Sequence, residues 1–140
     1  PIEAPYCQIV ATVSDIDRAR AEGKIAITFD IEGMNSLNGR IDLVGLYYSL
    51  GVRQMLFAYN RNNLAGSGCH DEDIGLTAFG RQVIDEMNQV GMVVDCSHTG
   101  FKTTMAAMER HAMRGLSSHR LRATSSAVAR SKCTDPLPFA

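Results

Sequence analysis

The sequence predicts an α/β fold in which parallel strands alternate with helices. Short apolar runs recur at 25–31, 52–59, 92–97 and 116–118, and segments with helical spacing of apolar residues separate them. Strands that alternate with helices of about 10 to 14 residues need crossover connections, which favour a parallel sheet. Four such units are half of an eightfold barrel. The chain is therefore expected to form either a small open sheet with helices on both faces or part of a larger α/β enzyme.

The composition is that of a globular protein and argues against several classes of function. Of the 140 residues, 45% are hydrophobic and 21% are charged, and the formal net charge is -1. This balance provides no basic surface for nucleic acid or an anionic membrane. No run approaches the roughly 18 apolar residues of a membrane span, and no signal-peptide pattern is present. Because the four cysteines lack a C-x-x-C spacing, we expect one cytoplasmic domain, residues 1–140, with reduced thiols.

The first third of the chain is predicted to hold a connection, a helix and a strand. Residues 1–13 contain two prolines and no hydrophobic period, so we expect either a connecting segment or the remnant of a preceding element. Ser14, with Asp17 three residues later, fits a capping box for the helix that follows. Over residues 24–31 apolar and polar side chains alternate, which predicts a strand with Glu32 at its end.

The middle of the chain is predicted to contain a helix, a strand and a long loop. Leu43, Tyr47 and Leu50 fall at the spacing of one helical face, which predicts an amphipathic helix. A strand over residues 52–59 follows it. The loop 60–75 then leaves the carboxyl end of this strand, a usual position for a functional loop or lid.

The remaining segments predict two further βα units. Four apolar residues at helical spacing predict a helix over residues 79–90, followed by a strand over 92–97. Thr99 is expected to cap the next helix. A short strand at 116–118 and a weaker helix at 120–130 complete the predicted order.

Three predicted strands end in side chains of the kind that bind metals. Glu32, His98 and His119 supply one carboxylate and two imidazoles, a ligand set that suits zinc. Because parallel strand ends share one edge, we expect these groups on one rim. Each residue alone has a structural alternative, since a strand-end histidine can be a hydrogen-bonded structural residue and Glu32 can cap the following turn. His70 and His111 are predicted to be solvated.

Several motifs together resemble the renal (membrane) dipeptidase family of zinc peptidases. They are Glu32-Gly33-Met34-Asn35, Leu50-Gly51-Val52-Arg53, Tyr59-Asn60-Arg61-Asn62-Asn63, Gly75-Leu76-Thr77-Ala78-Phe79-Gly80, Glu86-Met87-Asn88, Asp95-Cys96-Ser97-His98 and Ser118-His119. The resemblance runs in order from about Lys24 to Arg130. It implies part of a TIM-like (β/α)8 barrel, and a metal-dependent hydrolase that cleaves dipeptides or related amides.

The resemblance also implies roles for individual residues. In the family two zinc ions share a bridging glutamate, which matches Glu32, and two histidines of the second zinc match His98 and His119. The arginine that binds the substrate carboxylate in the family matches Arg130 best, and Arg122 is the competing candidate. An arginine suits this role because its guanidinium pairs with a carboxylate through two hydrogen bonds. The implied mechanism is attack of a zinc-activated water on the peptide carbonyl while an aspartate shuttles the proton.

Three departures from the family pattern bear on activity. The sequence contains no His-x-Asp pair, which supplies the remaining ligands of the first zinc in the family. The family's acid/base aspartate would fall beyond Ala140. Tyr59 replaces a histidine that helps to polarise the substrate, so its hydroxyl is a candidate catalytic and substrate-binding group that cannot become cationic. We therefore expect a partial barrel that binds at most one zinc.

Three interpretations remain open from the sequence. The first is a zinc-dependent dipeptidase or a related amidohydrolase. The second is a catalytically incomplete fragment, or a structural subunit that depends on a partner such as the remaining barrel half or a second copy in a homo-oligomer. The third is a small flavodoxin-like binding domain with incidental histidines. The absent His-x-Asp pair separates the first two, and a response of stability to zinc would separate both from the third.

Overall fold

The structure, a computed structural model, describes residues 4–115, with side chains described as far as His111. The strands are β1 (Cys7–Ile9), β2 (Ile25–Ile27), β3 (Phe29–Glu32), β4 (Val52–Leu56) and β5 (Val93–Asp95). The helices are α1 (Val13–Ala21), α2 (Asp42–Ser49), α3 (Ala78–Val90) and α4 (Phe101–Gly115), with a short 3-10 helix at Met34–Leu37. The predicted strand at 116–118 and helix at 120–130 lie outside the described residues.

The strand pairs are parallel, as the alternation of strands and helices predicted. β1 pairs with β2, while β3, β4 and β5 form a sheet in that order. Strands that follow one another in sequence are therefore neighbours in space, without the reversal of strand order that defines a doubly wound sheet. This arrangement is that of consecutive βα units in a barrel.

The predicted strand at residues 25–31 forms in two pieces. Thr28 separates β2 from β3, and the register of β3 against β4 shifts between Phe29 and Asp30. Such an irregularity bends a strand and increases its local twist. As a result β2 pairs with β1 on one side, whereas β3 pairs with β4 on the other.

Two predictions for the N-terminal segment are wrong. Residues 7–9, expected to be a connection, form β1 and pair with residues 25–27. The capping box lies at Thr12 and Asp15 instead of Ser14 and Asp17, because the Asp15 amide donates to the Thr12 hydroxyl and the Asp15 carboxylate accepts from the Thr12 amide. The Thr12 hydroxyl is also the main cause that lowers the pKa of Asp15 to about 2. A three-residue strand is too short to show a period, and both residue pairs fit the capping motif equally well.

The core lies between the strands β4 and β5 and the helices α2 and α3. Its largest fully buried side chains include Phe57, Met55, Ile84, Met87, Val44 and Val83. β4 is the central strand of its sheet, so it is held by hydrogen bonds on both edges and by this core. Residues that leave its carboxyl end therefore start from a fixed position.

Helix α3 begins and ends with local signals that the sequence contains. The Thr77 hydroxyl accepts a hydrogen bond from the Gly80 amide at the start, and Gly91 closes the helix with φ of 86°. Glycine adopts this left-handed conformation without the steric cost that a side chain would meet. Among the helices in residues 4–115, none has the length and apolar character required to cross a membrane.

Gly80→Ala is expected to lower the free energy of unfolding by about 1 to 3 kcal/mol, because the site has no room for a methyl group. A Cβ atom at Gly80 would lie 2.1 Å from the Ala65 carbonyl oxygen. The control is Gly45→Ala in α2, whose Cβ would meet only the Glu86 carboxylate at 3.9 Å. This control should stabilise by about 0.5 to 1 kcal/mol. Urea denaturation of both variants checks the prediction, and equal effects of the two changes would contradict it.

Candidate metal centre

The carboxyl ends of the three paired strands lie in one row. Glu32 at the end of β3 is in register with Leu56 of β4, which is in register with Asp95 of β5. The chain turns immediately after Glu32, where the Met34 amide donates to the Phe57 carbonyl at 3.1 Å. Glu32 is exposed to solvent, so its carboxylate is accessible at the rim of the sheet.

Asp95 shapes the turn that carries His98. Its carboxylate accepts hydrogen bonds from the Ser97 amide and hydroxyl, both at 2.7 Å, and from the Gln54 side chain of β4 at 2.8 Å. His98 itself has φ of 56°, a left-handed conformation that is uncommon for a residue with a side chain. Strained residues of this kind often mark functional sites, where the surrounding structure holds them. His98 is therefore a candidate functional residue.

The imidazole of His98 contacts two residues that follow β4. Its Nδ1 atom lies 2.9 Å from the side-chain oxygen of Asn60. The Tyr59 ring lies against it, with 4.6 Å between the ring centroids and 31° between the planes. An amide oxygen only accepts hydrogen bonds, so Nδ1 is the donor in this contact, and in a neutral imidazole the lone pair then lies on Nε2. Neutral imidazole with a free Nε2 is the form that binds metals.

The loop 60–75 is anchored to the turn around His98. The Cys69 amide donates to the His98 carbonyl at 2.9 Å, and the Gly100 amide donates to the Ser67 carbonyl at 2.7 Å. The Ser67 amide in turn donates to the Thr103 hydroxyl of α4 at 2.9 Å. Residues 65–68 are buried. The loop that the sequence placed as a functional loop or lid is thus built into the fold at its centre and holds the backbone of His98.

The same loop supplies the cap of α4. Thr99, the predicted cap, donates its hydroxyl to the Ser97 carbonyl, and the helix begins at Phe101. The Asp73 carboxylate accepts from the Lys102 amide at 2.6 Å, and the Lys102 ammonium group donates to the Asp73 carbonyl at 3.0 Å. The prediction for Thr99 is therefore wrong, because a residue 29 positions away from Lys102 caps the first turn.

The thiol of Cys96 is half-buried just after the end of β5. Burial is the main cause that raises the pKa of the Cys96 thiol to about 11, and the neighbouring Asp95 charge adds to it. Both effects disfavour the thiolate form of Cys96. Cys7 and Cys96 are free thiols.

The outcome for the other predicted site residues differs from one to the next. His70 is exposed, as predicted. The prediction for His111 is wrong, since its imidazole is half-buried and its Nδ1 lies 2.6 Å from the Asn88 side-chain oxygen of α3. His119 and Arg130 lie outside the described residues, as does Arg122. Within residues 4–111, no group of three or more His, Cys, Asp or Glu side chains is placed to hold a metal ion.

Asn60 is the residue of this centre that the sequence did not single out. It stands in an asparagine-rich stretch after β4, which the sequence indicated as a loop and as part of a family motif, without a role for Asn60 itself. A usable signal was its position at the strand end, because side chains there are well placed to support a catalytic group.

Comparisons with known proteins agree with this architecture. Over residues 3–128 the sequence matches the model of the family described as membrane dipeptidase, peptidase family M19. An uncharacterized dipeptidase of Schizosaccharomyces pombe is 36% identical over 95 residues, which is 64% of this chain and 23% of that protein. Dipeptidase tcpJ of Claviceps purpurea is 34% identical over 98 residues, 68% of this chain and 23% of that protein.

Solved structures give the same result for the fold. An amidohydrolase from Pseudomonas aeruginosa superposes with a TM-score of 0.75 and 33% identity, covering 77% of this chain and 33% of that one. A metallopeptidase from Rhodobacter sphaeroides, liganded with a phosphinate mimic of the dipeptide L-Ala-D-Ala, gives a TM-score of 0.69 at 24% identity over 73% of this chain and 31% of that one.

The fold is therefore part of the TIM-like α/β barrel of the amidohydrolase and metallopeptidase enzymes. The chain belongs to the membrane dipeptidase family, peptidase family M19. It spans 23% of the length of each of the two dipeptidases to which it was compared.

Thr103→Val is expected to destabilise the protein by about 1 to 3 kcal/mol, because the buried Ser67 amide would lose its acceptor. Valine has nearly the same shape as threonine, so packing is preserved. Thr103→Ser is the control, since it keeps the hydroxyl. Amide hydrogen exchange should show loss of protection at Ser67 in Thr103→Val and retained protection in Thr103→Ser. Equal protection in the two variants would show that this hydrogen bond does not anchor the loop.

Proposed function

We propose that this chain carries part of the catalytic centre of a zinc-dependent dipeptidase or related amidohydrolase, with Glu32, His98 and His119 as metal ligands. Membership in the membrane dipeptidase family supports the class of reaction. The observation on which the proposal rests is the contact of His98 at the strand end, where Nδ1 lies 2.9 Å from the Asn60 side-chain oxygen; in a neutral imidazole this contact leaves the lone pair on Nε2. Glu32 supplies an exposed carboxylate at the same edge of the sheet.

The donor chemistry of the described residues fits zinc. Zinc in proteins takes imidazole nitrogen and carboxylate oxygen, and a catalytic site keeps one position for water or substrate. Glu32 and His98 are one donor of each kind, and His119 would be the third. Zinc bound there lowers the pKa of a coordinated water toward neutrality. Asn60 and the loop 60–75 hold His98 in place for this task.

The substrate of the proposed enzyme is a dipeptide or a small amide. The family name and the dipeptide mimic bound to the Rhodobacter sphaeroides metallopeptidase support this class. We propose that Arg130, with Arg122 as the alternative, binds the substrate carboxylate through two hydrogen bonds. Tyr59 is exposed beside His98, so its hydroxyl is able to donate a hydrogen bond to a substrate carbonyl there.

The alternative proposal is that these 140 residues are catalytically incomplete. The sequence has no His-x-Asp pair, so a second metal would lack ligands. We expect little or no dipeptide hydrolysis by this chain alone, and recovery of activity when the remaining barrel half, or a second copy that contributes residues, completes the centre.

Elemental analysis of the purified protein is expected to find about one zinc per chain, the number that one set of three ligands can hold. Glu32→Gln, His98→Ala and His119→Ala should each lose it. His70→Ala is the matched control, because His70 is exposed in the loop, and it should retain the metal. Zinc that survives His98→Ala, or no zinc in the unaltered protein, would contradict the proposed ligand set.

In the full-length protein, Tyr59→Phe is expected to lower kcat/KM for a good dipeptide substrate about tenfold, the scale of one neutral hydrogen bond. Phenylalanine keeps the ring contact with His98, so zinc content should not change. Tyr59→Leu removes the ring as well and should lower both activity and zinc affinity. An unaltered rate in Tyr59→Phe would show that the hydroxyl has no catalytic part.

A further inference from the structure

We propose that Asn60 is the positioning residue of this centre: its side-chain oxygen fixes the tautomer of His98 so that Nε2 is presented to the metal. The inference deepens the proposed function and rests on it for the role of His98 as a ligand. It is testable on the protein without any metal.

Two donors converge on the side-chain oxygen of Asn60. The His98 Nδ1 atom lies 2.9 Å from it, and the Cys69 thiol donates to it over 3.6 Å. The side-chain oxygen of Asn60 faces both groups, and because an amide oxygen only accepts hydrogen bonds, Nδ1 and the thiol are the donors in these contacts. If the amide were reversed, Nδ1 would have to accept and Nε2 would carry the proton, which would prevent metal binding at that atom.

The backbone around Asn60 is held independently of its side chain. Asn60 has φ of 61°, a left-handed conformation that asparagine tolerates better than most residues. Its carbonyl accepts from the His70 amide at 2.9 Å. Gly68 packs directly against it, since a Cβ atom there would lie 2.1 Å from the Asn60 carbonyl carbon. These contacts fix the backbone of Asn60, so its side-chain amide extends toward His98 from a defined position.

The backbone of His98 is held by the same loop. Its carbonyl accepts from the Cys69 amide, the residue after Gly68. The Tyr59 ring then limits the rotation of the imidazole from one face. Asn60 and His98, both left-handed, are therefore linked through one short segment, residues 68–70. The polar partner behind a metal-bound histidine sets its tautomer and orientation, and removing such a partner commonly weakens metal affinity by about 10 to 100-fold.

The test compares Asn60→Gly with Asn60→Asp in the full chain labelled with 15N-histidine. Glycine adopts the left-handed conformation freely and removes only the acceptor, whereas aspartate keeps an acceptor oxygen at the same reach. Nitrogen chemical shifts of His98, assigned with His98→Gln and recorded without metal where imidazoles are neutral, report the tautomer. We expect protonated Nδ1 in the unaltered protein and in Asn60→Asp, and a shift toward protonated Nε2 in Asn60→Gly.

Zinc titration of the same variants separates the two proposals. Asn60→Gly should weaken zinc binding about 10 to 100-fold, whereas Asn60→Asp should bind zinc about as tightly as the unaltered protein. If the tautomer of His98 changes in Asn60→Gly but the unaltered protein binds no zinc, the role of Asn60 is supported and the proposed metal centre is overturned. Zinc bound through His98 with an unchanged tautomer in Asn60→Gly would overturn the role of Asn60. Protonated Nε2 in the unaltered protein would also overturn it, whether or not the variants fold.

Discussion

The parallel register of β3, β4 and β5 is the constraint from which the rest of the centre follows. It places Glu32, Leu56 and Asp95 in one row, so the segments that leave these strands emerge at a single edge. The buried side chains of Met55 and Phe57 belong to the core and hold the central strand of this sheet in place. The pairing of the strands, and not contacts between the side chains themselves, therefore brings residues that are far apart in sequence to this edge.

A second layer of structure holds the polar groups that the register brings together. The loop after β4 exchanges backbone hydrogen bonds with the turn after β5, since the Cys69 amide donates to the His98 carbonyl and the Ser67 carbonyl accepts from the Gly100 amide. The buried middle of the loop also packs on α4 through Thr103. This support permits left-handed conformations at both Asn60 and His98, which would be costly in an unsupported loop. A metal ligand needs a fixed side-chain orientation as well as a suitable donor atom, and this loop helps to fix the orientation of His98.

Family membership and catalytic competence are separate properties of a barrel chain. In a barrel each strand contributes one or two groups to the same rim, so any part of the barrel contains only a share of the site. The strands of this chain contribute Glu32 and His98, with His119 proposed as a third ligand. The pattern of the remaining ligands is absent from the sequence. The proposed centre is thus a half-site whose geometry is prepared by the chain's own loop.

The sequence by itself determined the parallel βα order, the amphipathic helix α3 with its end at Gly91, and the strand-end positions of Glu32 and His98. These features follow from periodicity, glycine placement and residue type, which act over a few neighbouring residues. Only the tertiary structure decided β1, the Thr12 capping box, the partner of His111 and the contact between Asn60 and His98. Those depend on which segments meet in space, and the last joins residues 38 positions apart through the register of β4 and β5 and the anchoring of the loop between them.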